Sequence, residues 1–203
     1  MSSSTPRFPK SSNEGRPLRS ELQLMLAAIW QGPFIRLVPV GMVFLALQRS
    51  LFVEITIAGV IIQVVLALAA AAGAAAGSER GAIAGFTLGV MYDMLEGLPI
   101  GSTAVAMTLA GAVAGLLALI VADPQWWLAM MFTTLGAAAG EVMLPVVRLF
   151  TGVPDPFEPR LTIIVPVVAI AAGLLSPVFV PLARWCLRIK RAEWVAPPRE
   201  PAL

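Results

Sequence analysis

Long apolar runs separated by short polar breaks dominate the chain, falling at roughly 34–53, 56–77, 80–95, 99–121, 125–149 and 161–186. Each approaches the length of about twenty helical residues that spans a bilayer's hydrocarbon. The pattern therefore predicts an all-α membrane protein, a compact bundle of about six transmembrane helices. The third run is the weakest, since it ends at Asp93 and Glu96, and the first carries Arg36 and Pro39 near its start and Gln48-Arg49 near its end. Both are still expected to cross, because the segments between runs are too short for anything but turns. Turn-forming residues stand where the turns are needed: Gly77-Ser78-Glu79-Arg80, Glu96-Gly97-Leu98-Pro99, Asp123-Pro124 and the stretch Thr151 to Pro156.

The ends differ from the middle. Residues 1–32 form a polar tail in which Ser20-Glu21-Leu22-Gln23 reads as a capping box for a helix running to Trp30. That helix either lies in the membrane interface or leads as a short soluble turn into the first span. Residues 33–187 make the membrane domain, and 188–203 a basic, Pro-rich tail. The long polar stretch before the first apolar run, with no small-x-small site after that run, argues against a signal peptide.

Composition strengthens the membrane assignment. Of the 203 residues, 58% are hydrophobic and only 13% charged, with a mean hydropathy of +0.85, whereas a soluble domain carries about a quarter charged residues. Of the 14 Lys and Arg residues, all but Arg49, Arg148 and Arg160 fall on one side of a six-span arrangement. The excess of cations on that side places both termini in the cytoplasm. With no histidine and a single cysteine, Cys186, the commonest metal ligand and general base are missing and an internal disulfide is impossible. Cys186 itself is a juxtamembrane thiol, open to lipidation or simply inert. No basic, aromatic-bearing surface suggests nucleic acid. No catalytic residue, cofactor or metal site is therefore expected. Asp93 and Glu96, three residues apart, are the one pair that a membrane enzyme could use.

Two sets of residues stand out. Gly73, Gly77, Gly81, Gly85 and Gly89 recur every four residues, and Gly111 and Gly115 repeat the spacing in the next span. Residues i and i+4 share a helix face, so these glycines make smooth strips that either pack helices of this chain together or receive a partner's helix. The second set is ionisable: Asp93 and Glu141 are the acids placed deepest in the apolar runs, and an unpaired acid at mid-bilayer costs about 2.5–3.5 kcal/mol. Arg49 and Arg148 are the expected partners, Glu141 and Arg148 lying two helical turns apart on one face. Such a cluster would fix helix register, dock a partner, or line a solute or proton path. Gln63 adds a polar group in the second run.

The stretch Gly81, Gly85-Phe86, Gly89, Asp93, Gly97, Pro99 and Gly101, followed by Gly111-x-x-x-Gly115, resembles the signature of the MreD family of rod shape-determining membrane proteins. Leu47-Gln48 near the end of the first run is also similar. The chain departs from that pattern at Ile62-Gln63, where many relatives carry Pro-Asp, at Ile100 in place of Leu, and in its longer tails. The resemblance implies a non-catalytic scaffold of the bacterial cell-elongation complex in the plasma membrane. Its partners would be MreC and, beside it, MreB, RodA and a class B penicillin-binding protein. It also implies a bundle similar to the substrate-binding subunit of energy-coupling-factor transporters, and hence an alternative function as the substrate-binding subunit of a vitamin-type transporter.

Overall fold

A computed structural model describes residues 33–52, 56–57, 59–97, 99–120, 125–152 and 160–187. The expected N-terminal tail with its interfacial helix, and the C-terminal tail, lie outside these residues.

Among the described residues six α-helices form: α1 Leu37–Leu47, α2 Val64–Ala76, α3 Ser78–Glu96, α4 Ser102–Leu119, α5 Trp126–Phe150 and α6 Leu161–Cys186. A 3-10 turn, Pro33–Arg36, leads into α1, and a π-helical turn, Gln48–Phe52, continues it. Three helices, α4, α5 and α6, are long and apolar enough to cross a membrane. Their prolines, Pro145 in α5 and Pro166, Pro177 and Pro181 in α6, are tolerated as they are in membrane helices, where neighbouring groups satisfy the freed backbone.

The second apolar run corrects the expectation of one continuous helix from 56 to 77. It opens as an antiparallel hairpin, β1 Thr56–Ile57 with β2 Val60–Ile61, in register Thr56↔Ile61 and Ile57↔Val60. Gly59 sits in the turn at φ 76°, a conformation that L side chains avoid. β-branched residues on both sides of that glycine favour the pleated form. The helix begins only at Val64, after Gln63 at φ −85°, ψ 84°.

What remains of that run becomes the hub. α2 is buried continuously from Val64 to Ala74 and packs against each of the other five helices. Its thirteen residues rise only about 20 Å at 1.5 Å per residue, less than the roughly 30 Å of a bilayer's hydrocarbon. Alanine makes this burial possible, because Ala67 and Ala69 to Ala72 let surrounding helices approach on every side.

Small residues make many of the helix contacts, beside buried larger side chains such as Leu66, Leu68, Leu88 and Met107. Inside are Ala84, Ala104, Ala106, Ala110, Ala114 and the glycines, while large apolar side chains such as Leu116, Met131, Ile170, Leu174 and Val178 point outward. In lipid no hydrophobic force pushes helices together, so close backbone contact between small residues must supply the cohesion. Phe44 meets Phe179 edge-to-face at 5.0 Å and 76°, and the Arg36 guanidinium lies 5.0 Å from the Trp185 ring centre.

Candidate functional site

The glycine strips face one another inside the bundle. Gly73 of α2, Gly81 of α3 and Gly111 of α4 converge at one crossing: a Cβ on Gly73 would strike the Gly111 carbonyl, and one on Gly111 would strike that of Gly81. One turn further along, Gly115 abuts Gly77 and Ser78, where the chain reverses between α2 and α3. Toward the other end, Gly85 lies on the Met107 backbone and Gly89 on Ala104. Of the two expected uses of these glycines, packing within the chain or a groove for a partner's helix, Gly73, Gly81, Gly85, Gly89, Gly111 and Gly115 take the first. The chain's own backbone fills those faces.

The acids are arranged differently from the expected cluster. Asp93, fully buried on α3, does not meet Arg49 but receives the start of α4. Its carboxylate accepts from Gly101 N at 2.8 Å, Thr103 N at 3.0 Å and Ala104 N at 3.3 Å, and from Ser102 Oγ at 3.3 Å. The first N–H groups of a helix have no partner within it, and in an apolar setting each must find one. A carboxylate also suits the positive end of the helix dipole. Gly97 at φ 67° ends α3 and Gly101 at φ 103° precedes α4, so the turn bends back far enough to bring α4's N–H groups onto Asp93. Pro99 contributes its carbonyl, which accepts from Ser102 N at 3.0 Å.

Gln48 repeats the device. It is buried beyond the end of α1, and its Oε1 accepts from Val65 N at 3.1 Å, in the first turn of α2. The sequence marks Gln48 as a polar residue near the end of the first apolar run and through the family resemblance. Neither signal indicates which helix start it would serve.

Arg49 pairs with Glu96 instead of Asp93, Nε to Oε1 at 2.8 Å, and its Nη2 lies 3.4 Å from the Leu95 carbonyl. The two acids of the Asp93–Glu96 pair thus serve separate partners and do not converge. With Arg49 58% and Glu96 29% exposed, Arg49→Ala is expected to lower stability by no more than about 1 kcal/mol; a thermal melt in detergent checks this. Cys186 is a free, buried cysteine at the end of α6.

Glu141 occupies a third setting. It is 2% exposed on α5, beside a cavity of about 690 Å³ whose polar lining is Gln48, Gln63, Tyr92, Glu141, Arg148 and Arg160. Glu141 and Arg148 line one cavity, as their spacing suggests, with Arg160 from just before α6, but the expected ion pair is corrected: among the described residues no salt bridge joins Glu141 to Arg148. The Oε1 of Glu141 has no hydrogen-bond partner. Neither Arg49 nor Asp93 belongs to this lining.

These features define the class as a helical bundle with three helices long and apolar enough to cross a membrane, in which Gln48, Asp93 and Glu141 are buried acidic or amide side chains. Comparison with known protein families, curated proteins and solved structures finds none that matches the chain.

Proposed function

We propose that the chain is a non-catalytic scaffold of the MreD type in a bacterial plasma membrane, holding MreC in the cell-elongation complex. In this reading all six helices cross the bilayer, both termini are cytoplasmic, and the end bearing Asp93, Glu96 and the cavity faces outward. MreB, RodA and a class B penicillin-binding protein are further partners that the motif resemblance implies.

The observation that carries the reading is Phe86. Every other part of the motif has a job inside the fold: Gly81, Gly85, Gly89, Gly111 and Gly115 are packing contacts, Asp93 holds α4, and Gly97, Pro99 and Gly101 shape the turn. Phe86 has no such job: its large ring is 52% exposed on the flank of α3, beside the exposed Ile83. A large aromatic ring kept within a motif but unused by the bundle fits a contact with another protein's membrane helix. Phe86→Ala is expected to leave the melting temperature unchanged and to reduce MreC recovery in co-purification by about tenfold or more, the range of an aromatic interface anchor. Full MreC recovery by the folded variant would count against the proposal.

The cavity favours a second reading, the substrate-binding subunit of a small-molecule transporter. The motif ranks it below the scaffold, and saturable vitamin uptake dependent on this chain would reverse that order.

A further inference from the structure

The cavity beside Glu141 has chemistry that neither the glycine seams nor a scaffold role uses. A carboxylate nearly sealed from solvent has its Oε1 unpartnered; among the described residues only one other buried side-chain oxygen, Ser176 Oγ, shares that condition, and it lies outside this cavity. Burying such a group is costly unless something donates to it. Around it lie the Tyr92 ring and the amide of Gln63, and the same cavity is lined by two guanidiniums, Arg148 and Arg160. Both arginines are exposed and stand at the ends of their helices, near the last turn of α5 and immediately before α6.

We propose that this cavity binds an ammonium–phosphate zwitterion of the phosphoethanolamine class. The ammonium donates to Glu141 and lies against the Tyr92 ring, a cation–π arrangement. The phosphate meets Arg148 and Arg160, whose planar donor forks match its oxygens. A simple anion would leave the Glu141 carboxylate uncompensated, and a simple cation would face two guanidiniums. A group bearing both charges satisfies all three side chains. The volume, about 690 Å³, lies within the ~300–1,000 Å³ of ligand pockets and leaves room beyond the charged groups. Leu144, Ile163 and Ile164 supply apolar lining there. The zwitterion is carried either by a phosphatidylethanolamine headgroup or by a free small molecule. The site stands independently of whether the bundle holds MreC.

Two probes distinguish the sources. The purified full chain is titrated calorimetrically with soluble phosphoethanolamine. In parallel, it is released from nanodiscs of equal phosphatidylethanolamine and phosphatidylglycerol content for native mass spectrometry of retained lipid. Saturable binding of the soluble probe supports a free ligand, and selective retention of phosphatidylethanolamine supports a headgroup. In either case Glu141→Gln, which keeps the side chain's size, should weaken the interaction about tenfold, the scale of one charge-assisted hydrogen bond. Arg160→Gln, at an exposed position, should weaken it as well and decides the matter if Glu141→Gln does not fold. No soluble binding together with no lipid preference overturns the proposal, as does unchanged binding by folded variants.

Discussion

Replacing Gly111 with alanine is expected to destabilise the bundle by about 3 kcal/mol or more, at or beyond the upper end of ordinary overpacking. The added methyl would meet the Gly81 carbonyl, with the Ala69 carbonyl 3.3 Å away. Those are backbone atoms of α3 and α2, so no side-chain rotamer can give way, and relief requires moving whole helices. Since α2 packs against all its neighbours, such a shift is transmitted through the bundle. Leu116→Ala on the same helix, at an outward position, is the control and should change stability little. Denaturant or thermal unfolding in detergent gives both values, and a Gly111→Ala variant as stable as its parent would refute the seam.

The second large effect concerns Asp93. Asp93→Ala removes the acceptor for Gly101, Thr103 and Ala104 N–H together. Each buried donor left unsatisfied costs about 1–3 kcal/mol, so the total is on the order of 3 kcal/mol or more. Asp93→Asn should lie between the two, because it keeps one acceptor oxygen but loses the charge and turns an amide donor toward the same N–H groups. An unfolding series of the three proteins tests this order. A phenotype from either substitution would then report a lost helix connection, whatever the protein does in the cell.

These two residues also mark what the sequence does and does not disclose. The four-residue glycine spacing is a local property of each helix, so the small faces of α2, α3 and α4 can be read directly. That they meet one another, and leave no groove for a partner, depends on how the helices cross. Charge patterning identifies Asp93 as an acid needing compensation, but its compensation is a set of backbone N–H groups eight to eleven residues on. Backbone donors carry no formal charge, so counting arginines points to Arg49, which instead holds Glu96. The 56–61 hairpin is hidden for another reason. Hydropathy is the same for a short strand and a short helix, and only the β-branched residues around Gly59 signal the difference. Glu141 and Arg148 share an α5 face and could be placed together from spacing alone, whereas Gln63, Tyr92 and Arg160 reach the same cavity from three other segments through tertiary packing.

The proposed scaffold role is tested most directly at Phe86. A photo-crosslinking amino acid placed at position 86 and activated in intact bacterial membranes reports what touches that flank of α3. The expected result is a cross-link to MreC, recognisable as a one-span protein with a coiled coil and an extracytoplasmic domain, and none from the outward-facing control position Leu174 of α6. Cross-links at position 86 to lipid alone would contradict it.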